Sequence, residues 1–280
     1  MLGRYQRFVG VLGWPLDHTL SPVIHNAAFR TAGIDCVYLA WPVPPEYLEQ
    51  AVAGLRALGA TGANLTMPHK QAVLEHLDDL SEEARALGAV NTIHRAGERL
   101  VGFNTDVSGF REFIDDDAGI AIADRTVAVI GAGGAARAVV KALAQLRAGK
   151  IVIVARDPER AAEVAAIGGS IASVEEAGGA EDLIGSADVV VNATPAGMDG
   201  RTDPVPGASF RPDQVVVDLI YSPPTTPLMR RARAAGAEAW GGLGMLVRQA
   251  AASFSIWTGR EPSLETMSAA AVRAIGSAPR

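Results

Sequence analysis

The chain has 280 residues, of which 49% are hydrophobic and 20% are charged. This length suggests one large domain or two modest ones, and the apolar content excludes a wholly disordered chain. The formal charge of −6 disfavours nucleic acid as the main partner. A single cysteine, Cys36, excludes an internal disulfide and a cysteine-based metal site. Because we find neither an apolar run long enough for a membrane helix nor a targeting segment, we expect a cytoplasmic protein without a membrane partner.

Short apolar runs alternate with helical patterns through the first half of the chain. In chain order we predict a strand over 8–13, a helix from Ser21 to near Gly33, a strand over 35–43, a helix over 45–58, a strand over 61–66, a helix over 69–77, and a hairpin of 90–94 with 100–103. Ser21 and Pro22 are typical of a helix N-cap followed by Pro at the first helical position. Strands that alternate with helices favour parallel pairing through βαβ units.

The second half begins after a polar segment, residues 116–124, which we interpret as a flexible join. The alternation then restarts, with strands over 126–130, 150–155, 188–193 and 215–219, helices over 134–146 and 158–167, and two closing helices over 243–257 and 263–275. Continuous Val and Ile runs are typical of strands that are covered on both faces, as in a doubly wound sheet.

A glycine-rich turn, Gly131-Ala132-Gly133-Gly134-Ala135-Ala136, follows an apolar strand and opens a helix. In a dinucleotide fingerprint the first glycine permits the tight turn, the second lets the backbone approach a pyrophosphate, and a small third residue lets the helix pack close to the strand. Backbone N–H groups at the start of the helix then face the phosphates. We therefore expect dinucleotide contacts from Gly131, Gly133, Gly134, Ala135 and Ala136. The alternative is a turn that binds nothing.

The end of the next strand bears on the choice between NAD and NADP. It reads Ala155-Arg156-Asp157, and Arg160 follows one helical turn later. Two guanidinium groups beside the expected ribose favour NADP, because planar Arg donors match phosphate oxygens. Asp157 favours NAD if it repels the extra phosphate, but it could instead cap the helix before Pro158. NADP is the expected cofactor, and NAD stays open.

Polar residues are concentrated in four short segments, at strand ends and at turns from strand to helix. These segments are 13–22 followed by His25 and Asn26, 64–70, 88–92, and 104–106. In α/β proteins ligands bind at such positions. The segments offer hydroxyls, amides, one ammonium group and one carboxylate, which suits a small polyhydroxylated ligand better than a lipid or a long polymer.

The four segments, in order with the glycine-rich turn, resemble the shikimate dehydrogenase family. Three later motifs continue the resemblance: Asn192-Ala193-Thr194-Pro195-Ala196-Gly197-Met198, Asp218-Leu219-Ile220-Tyr221, and residues 242–247 with Gln249. The resemblance extends over nearly the whole chain. It implies reversible NADPH-dependent reduction of 3-dehydroshikimate to shikimate, in the biosynthesis of aromatic amino acids through chorismate.

The resemblance also implies roles for individual residues. Lys70 and Asp106 stand where the family keeps its catalytic pair. The positions implied to bind substrate are Thr19, Ser21, Asn64, Thr66, Asn91, Tyr221 and Gln249. The positions implied to contact the cofactor, besides the turn and the two arginines, are Thr194, Gly242 and Met245. We expect no metal site, because the five histidines lack partners at metal-ligand spacing.

The chain departs from the family's pattern at five positions. Thr19 stands for a serine, Trp14 for an asparagine, Val107 for a glycine, and Ala155 and Asp157 for an asparagine and a threonine. Thr19 keeps the hydroxyl, and it bears with Trp14 on the shape of the expected pocket. Ala155 and Asp157 bear on the choice of cofactor.

The chemistry of these residue types fits a carbonyl reduction. Hydride arriving at a carbonyl carbon leaves alkoxide character on the oxygen, which a lysine ammonium group can stabilise and protonate. A nearby carboxylate can orient the ligand hydroxyl and hold the lysine. Each position also has an ordinary structural interpretation: Lys70 as a solvated helix residue, Asp106 and Ser21 as caps, Tyr221 as a buried aromatic, the amides as partners of the backbone, Gly242 as a turn, and Met245 as core filling.

We expect two α/β domains with a catalytic cleft where they meet. Residues 1–106, completed by 245–280, form a substrate domain with a mostly parallel sheet, and residues 107–244 form a Rossmann-type, doubly wound dinucleotide domain. The expected partner is a small molecule, shikimate or 3-dehydroshikimate, and the chain is expected to be a monomer or a homodimer. We interpret Arg230, Arg231 and Arg233 as a solvated helix face rather than a nucleic-acid patch.

Three other functions stay open from the sequence. The first is an NAD-preferring quinate/shikimate dehydrogenase. The second is a dinucleotide-binding regulator without catalytic activity, against which the intact Lys70 and Asp106 argue. The third is another carbonyl-reducing relative that acts on a different polyol acid.

Overall fold

A computed structural model describes residues 7–16, 19–175 and 179–277. The chain divides into two compact units, the first made of Met1–Thr105 with Val247–Arg280 and the second of Asp106–Leu246. Asp17 and His18 of the first polar segment lie outside the described residues. Both units are α/β, and the predicted fold class, with a mostly parallel first sheet and a doubly wound second sheet, is confirmed.

Strands and helices alternate along most of the described residues. The strands are β1 (Arg7–Gly13), β2 (Cys36–Pro42), β3 (Gly62–Leu65), β4 (Asp79–Leu80), β5 (Thr92–Ala96), β6 (Arg99–Phe103), β7 (Thr126–Ile130), β8 (Lys150–Val154), β9 (Ala172–Val174), β10 (Val189–Asn192), β11 (Val215–Asp218) and β12 (Glu238–Gly241). The helices are α1 (Ser21–Thr31), α2 (Leu48–Leu58), α3 (His69–Ala72), α4 (Glu82–Leu87), α5 (Asp106–Glu112), α6 (Gly134–Gln145), α7 (Pro158–Gly168), α8 (Ala180–Ser186), α9 (Pro227–Ala234), α10 (Leu243–Thr258) and α11 (Leu264–Ser277).

The sheet of the first unit has the strand order β2-β1-β3-β5-β6-β4. Strand β5 pairs antiparallel with β3 and β6, and the other pairs described in this sheet are parallel. The predicted hairpin is β5–β6, and it turns at Gly97, whose φ of 65° lies in the left-handed region that favours glycine. Leu12, Leu65, Ile93 and Leu100 are buried together in the core beside this sheet.

The end of the chain completes the core of the first unit. Trp257 on α10 donates its Nε1–H to the carbonyl of Ile93 at 2.8 Å. Phe254, one turn earlier, packs against Phe29 of α1 with 5.1 Å between the ring centroids. Gly62 makes room for the indole, because a Cβ at this position would lie 2.4 Å from Nε1 of Trp257. The closing helices are therefore part of this unit's packing.

The sheet of the second unit is parallel throughout, with the order β12-β11-β10-β7-β8-β9. From β7 the chain builds outward through β8 and β9, and it then continues on the other side of β7 with β10. Val129, Ile153, Val191 and Val217 are fully buried, as expected for strands covered on both faces. Ligands of such sheets bind at the carboxyl ends of the strands where the order reverses, which here is between β7 and β10.

Two predictions about helix ends and joins are wrong. Helix α1 begins at Ser21 itself, its N-cap is Leu20, and no side-chain hydrogen bond among the described residues caps it. Ser21 is therefore a residue of the first turn. The segment 116–124 is not a flexible join, because it continues a π-helical turn (Phe113–Asp117) and buries Ile120 and Ile122.

The interpretation of the arginines on α9 as a solvated face holds for only two of the three. Arg230 and Arg233 are exposed, whereas Arg231 is partly buried. Its guanidinium pairs with Asp203 at 2.7 Å and donates to the carbonyl of Val205 at 2.9 Å. Arg231 therefore fastens the loop that precedes β11 to helix α9.

Five short elements escape the sequence patterns: β4, α4, β9, α8 and β12. Strand β4 has two residues and helix α8 has seven. Segments this short do not complete enough turns or alternations for a period to be visible.

His25 is fully buried in the first unit, stacked on Tyr38 with 4.3 Å between the rings and 5.3 Å from Trp257. Among the described residues, neither of its ring nitrogens has a hydrogen-bond partner. Burial lowers the pKa of this imidazole to about 3, so it is neutral in the folded protein across the ordinary pH range.

This burial predicts a pH-dependent contribution to stability. In the unfolded chain His25 binds a proton below its ordinary pKa of about 6.5, whereas in the folded chain it does so only near pH 3. The free energy of unfolding therefore decreases as the pH is lowered from about 6.5 towards 3. The loss should reach about 2 kcal/mol at pH 5. Urea unfolding at pH 7 and pH 5 should show a smaller loss for His25→Phe than for the unaltered chain. His76→Gln, at a partly exposed histidine, is the control, and equal losses in all three proteins would contradict the prediction.

Candidate active site

A network of buried amides and hydroxyls lies at the carboxyl end of β3 and the adjacent end of the β5–β6 hairpin. Asn64 is the residue before the end of β3, and Asn91 precedes β5. Their side chains are 6% and 2% exposed, so each polar atom needs a partner within the protein. Both residues are predicted to bind substrate, and the structure places them in one cluster.

Asn64 is held from both ends of its amide. The hydroxyl of Tyr38 donates to Oδ1 at 2.7 Å. The Nδ2 group is 3.0 Å from each of three acceptors: the carbonyl of Asn91, Oγ1 of Thr92 and Oγ of Ser253. This arrangement fixes which end of the amide carries the oxygen.

Asn91 is joined to the segment after β6 and to α10. Its Oδ1 accepts from the backbone N–H of Thr105 at 2.8 Å, and its Nδ2 donates to Oγ1 of Thr105 at 2.9 Å. Gln249 completes the cluster, with its Oε1 3.4 Å from Nδ2 of Asn91 and its carbonyl accepting from the Thr105 hydroxyl at 3.0 Å. The chain brings Asn64, Asn91 and Gln249 together from three distant segments.

Lys70 and Thr66 belong to the turn that follows β3. Lys70 is on the short helix α3, where its carbonyl accepts from the N–H of Val90 at 2.8 Å and its side chain is partly buried. The backbone of Thr66 accepts from His69, whose ring nitrogen Nε2 is 2.7 Å from the carbonyl of Val43. These bonds hold the start of α3 against the strand ends.

Thr19 and Ser21 stand at the start of α1, in the same unit. The N–H of Ser21 donates to Oγ1 of Thr19 at 3.3 Å, and both side chains are partly exposed. A threonine hydroxyl that accepts from the backbone two residues later stabilises a turn. The structure therefore gives Thr19 a local structural role that is compatible with ligand contact by the hydroxyl hydrogen.

Asp106 is the first residue of α5 and the first of the second unit. It lies inside the helix rather than at its N-cap, and it is 4% exposed. A carboxylate in the first turn is stabilised by the positive end of the helix dipole.

The glycine-rich turn of the second unit connects β7 to α6 at the point where the strand order reverses. Gly131 has a φ of 113°, in the region that favours glycine, and its N–H donates to the carbonyl of Val154 at 2.8 Å. A Cβ at Gly131 would lie 2.8 Å from Cγ2 of Thr194, whereas a Cβ at Gly133 would meet no described atom within 4 Å. The backbone around Gly133 is thus open to a ligand, and these residues fit a dinucleotide pyrophosphate.

The segment after β8 carries the residues that bear on cofactor choice. The Asp157 carboxylate accepts from the N–H groups of Glu159 and Arg160 and caps α7. Its other oxygen is 3.4 Å from Nε of Arg160, and all of these side chains are exposed. The capping interpretation of Asp157 is confirmed, and Arg156 is exposed beside it.

Tyr221, Gly242 and Met245 belong to the segments that follow β11 and β12. The N–H of Gly242 donates to the carbonyl of Ile220 at 3.0 Å, and a Cβ at Gly242 would lie 2.0 Å from the Leu219 carbonyl oxygen. Only glycine fits this close approach. Met245 is 7% exposed and Tyr221 is partly buried, so their side chains contribute to the packing at this edge of the sheet.

Neither a metal-ligand cluster nor a membrane-spanning helix is found within the described ranges. No group of three or more His, Cys, Asp and Glu side chains in these ranges could hold a metal ion, and none of their helices is both long and apolar enough to cross a bilayer.

Comparison with known proteins decides the family. A relative from Salinibacter ruber named shikimate dehydrogenase (NADP(+)) is 47% identical over 267 residues, which is 91% of this chain and 93% of the relative. The chain belongs to the shikimate dehydrogenase family. Three family models match it: the shikimate dehydrogenase substrate binding domain at residues 11–93, shikimate/quinate 5-dehydrogenase at 115–199, and the shikimate 5'-dehydrogenase C-terminal domain at 242–272.

Solved structures agree with this assignment. A shikimate 5-dehydrogenase from Thermus thermophilus in complex with NADP(H) and shikimate has a TM-score of 0.85 and 37% identity, covering 96% of this chain and 99% of that one. A quinate dehydrogenase from Corynebacterium glutamicum in complex with NAD has a TM-score of 0.85 and 35% identity, covering 95% and 99%. Relatives named for shikimate and relatives named for quinate therefore share the fold of this shikimate dehydrogenase family member.

Four members of the polar network in this shikimate dehydrogenase family member are not predicted from the sequence. They are Tyr38, Thr92, Thr105 and Ser253. Thr92 and Thr105 belong to the polar segments and were within reach of the same argument. Tyr38 is within an apolar strand and Ser253 within an apolar helix, so only the fold shows that their hydroxyls meet Asn64.

Removal of the Ser253 hydroxyl should destabilise the first unit. Its Oγ is within 2.7–3.1 Å of Thr92, Asn64, Gln249 and Thr105. Of these partners Thr92, Asn64 and Thr105 are buried and Gln249 is partly buried. Ser253→Ala should cost about 1–3 kcal/mol, because buried polar atoms lose a partner. Ser255→Ala, on the partly exposed side of the same helix, should cost less than about 0.5 kcal/mol. Urea unfolding measures both, and equal losses would show that the network adds no stability.

Proposed function

We propose that this chain catalyses the reversible NADPH-dependent reduction of 3-dehydroshikimate to shikimate, an oxidoreductase step in the biosynthesis of aromatic amino acids. One observation carries the proposal. The chain is similar over nearly its whole length to a relative named shikimate dehydrogenase (NADP(+)). It also has a glycine-rich turn that is open to a ligand, at the point where the strand order of its parallel sheet reverses. The buried network around Asn64 and Asn91 also supports the proposal, because its hydrogen bonds hold polar side chains in fixed positions for binding a small hydroxylated ring.

The two parts of the chain have different tasks in this proposal. Residues 1–106, completed by 245–280, bind substrate, and residues 107–244 bind the dinucleotide. The matched substrate-domain model and the Rossmann strand order support this division. We further propose a cytoplasmic enzyme, a monomer or a homodimer, that takes a small molecule rather than nucleic acid or membrane as its partner.

Lys70 and Asp106 are the proposed catalytic pair. When bound, NADPH would supply the hydride for the substrate carbonyl carbon. The Lys70 ammonium group stabilises the negative charge that develops on the carbonyl oxygen and donates the proton that completes the hydroxyl. The Asp106 carboxylate orients that hydroxyl and holds the lysine, and in the reverse direction the neutral Lys70 amine takes back the hydroxyl proton. The side chains of Asn64, Thr66, Asn91 and Gln249 surround the ring in this proposal.

The substrate carboxylate is bound by hydroxyl groups. Thr19 and Ser21 donate to it from the start of α1, and Tyr221 assists. Because Thr19 Oγ1 already accepts from the N–H of Ser21, its own hydrogen is the one directed to a carboxylate oxygen.

NADP is the proposed cofactor, with Arg156 and Arg160 beside its 2′-phosphate. Gly131, Gly133, Gly134, Ala135 and Ala136 face the pyrophosphate, and Thr194, Gly242 and Met245 line the rest of the site. The Asp157 carboxylate is engaged in capping α7 and in an ion pair with Arg160, which reduces its repulsion of the phosphate.

The second candidate is an NAD-preferring quinate/shikimate dehydrogenase. Two observations favour it: the similar quinate dehydrogenase whose structure contains NAD, and the acidic residue Asp157 at the end of β8. An acidic residue near this place accepts from the free ribose hydroxyl of NAD.

Steady-state assays at the reduced-nicotinamide absorbance band separate these functions. Shikimate and quinate are each tested with NADP and with NAD. We expect the highest kcat/KM with shikimate and NADP. A higher value with quinate and NAD would replace the proposal by the second candidate, and cofactor binding without turnover of any polyol acid would indicate a regulator. Turnover of only a different polyol acid would reassign the substrate.

Removal of either member of the catalytic pair should lower turnover. Lys70→Ala and Asp106→Ala should each reduce kcat by about 10²–10⁴-fold, the size of a general acid–base contribution. Lys150→Ala and Asp115→Asn change exposed residues of the same types and should leave kcat unchanged. A kcat within about twofold of the unaltered enzyme in either variant of the pair would remove that residue from the mechanism.

A further inference from the structure

Asp218 ends strand β11 with a carboxylate that is fully buried. Three donors satisfy it: Nδ2 of Asn192 at 3.0 Å and the N–H of Ile220 at 3.2 Å on Oδ1, and the hydroxyl of Thr226 at 2.6 Å on Oδ2. Thr226 also caps α9, since its Oγ1 accepts from the N–H of Met229 at 3.3 Å. The carboxylate therefore joins the ends of two neighbouring strands to the start of a helix.

Asn192 connects Asp218 by hydrogen bonds to the loop after β10, residues 193–198, which we call the β10 loop. The second hydrogen of its Nδ2 reaches the carbonyl of Ala196 at 3.2 Å. Its Oδ1 accepts from both the N–H and the hydroxyl of Thr194, at 3.1 Å and 2.7 Å. Because both ends of the amide are used, rotation of the Asn192 side chain would break every one of these bonds.

The β10 loop adjoins the glycine-rich turn. Strand β10 pairs directly with β7, with Asn192 opposite Ile130, so the two strands end side by side. The methyl group of Thr194 and the carbonyl of Ala193 lie so close to Gly131 that a Cβ there would come within 2.8 Å and 3.1 Å of them. The β10 loop therefore packs directly against Gly131 of the glycine-rich turn.

We propose that Asp218 is a positioning residue for dinucleotide binding, acting through Asn192 to hold the β10 loop against the glycine-rich turn. This inference rests on the proposed function, because it assumes that the turn takes NADP(H). Asp218 touches no part of the dinucleotide in this proposal. It determines where Thr194 and the neighbouring backbone stand when the ligand arrives, so that no loop rearrangement opposes binding.

Because the Asp218 carboxylate is buried, a neutral substitute at this position separates its effect on the β10 loop from its effect on the stability of the fold. Burial raises the pKa of its carboxyl group, with a further contribution from the negative charge of Asp203. A folded-state pKa above the ordinary value means that the ionised carboxylate weakens the fold at neutral pH relative to a neutral group. A neutral side chain of the same shape should therefore be tolerated by the fold, although it orders the β10 loop less well.

Binding of NADPH in the absence of substrate, followed by its fluorescence, tests the inference on the full chain. Asp218→Ala, which removes all three acceptor contacts, should raise Kd by about tenfold. Asp218→Asn keeps an oxygen for Ile220 and Asn192 and should raise Kd by no more than about threefold, with an unchanged or higher Tm. Thr226→Val should raise Kd and Thr226→Ser should restore it, and this pair decides the matter if Asp218→Ala does not fold.

Gln214→Ala is the matched control, at the residue that immediately precedes the opposite end of β11. Gln214 is 1% exposed, and its Nε2 donates to the carbonyls of Ile184 and Ala187, away from the glycine-rich turn. This variant should lower Tm and leave Kd unchanged. An unaltered Kd in Asp218→Ala, or an equal rise in Gln214→Ala, would overturn the inference alone. Failure of the unaltered chain to bind NADPH would overturn the proposed function together with it.

Discussion

A polar atom that is taken out of water and left without a hydrogen-bond partner costs roughly 1–3 kcal/mol. This constraint governs both units of the chain, because each places amide, hydroxyl or carboxylate groups at the carboxyl ends of buried parallel strands. In the first unit Asn64 and Asn91 cannot be buried unless Tyr38, Thr92, Thr105 and Ser253 meet them. The cluster therefore fixes the orientation of the amides before any ligand binds, which lowers the entropic cost of recognition.

The second unit obeys the same constraint with a charge at its centre. Asp218 needs three donors, and those donors come from β10, from the segment after β11 and from the N-cap of α9. A carboxylate imposes stricter geometry on its neighbours than a neutral group, since charge-assisted hydrogen bonds are shorter and stronger. The carboxyl ends of β10 and β11, near the glycine-rich turn, are therefore ordered by a buried charged residue that apolar packing alone would not require.

Much of the fold and the site follows from the sequence, and the exceptions have physical causes. The Val and Ile runs predict β7, β8, β10 and β11, because strands covered on both faces must be continuously apolar. The polar segments contain Asn64 and Asn91, whose role is implied by the resemblance to the family, and the structure shows both amides buried in one network. Ser253 is not predictable in this way, because its meeting with Asn64 joins residues 189 positions apart in the chain. The burial of Ile120 and Ile122 is not predicted for a different reason, because the neighbouring aspartates dominate the local pattern.

The positions where the chain departs from its family's pattern show how one physical requirement can be met by different residues. Thr19 differs from serine by a methyl group, and its oxygen still accepts the N–H of Ser21. Asp157 replaces a threonine at the end of β8 and still caps the following helix, because either side chain offers an oxygen to the N–H groups of the first turn. What changes is the charge, and the ion pair with Arg160 partly offsets it. The α7 cap thus constrains which side-chain atoms are allowed at this position, whereas in the proposed function the ribose of the cofactor responds to the net charge around Arg156.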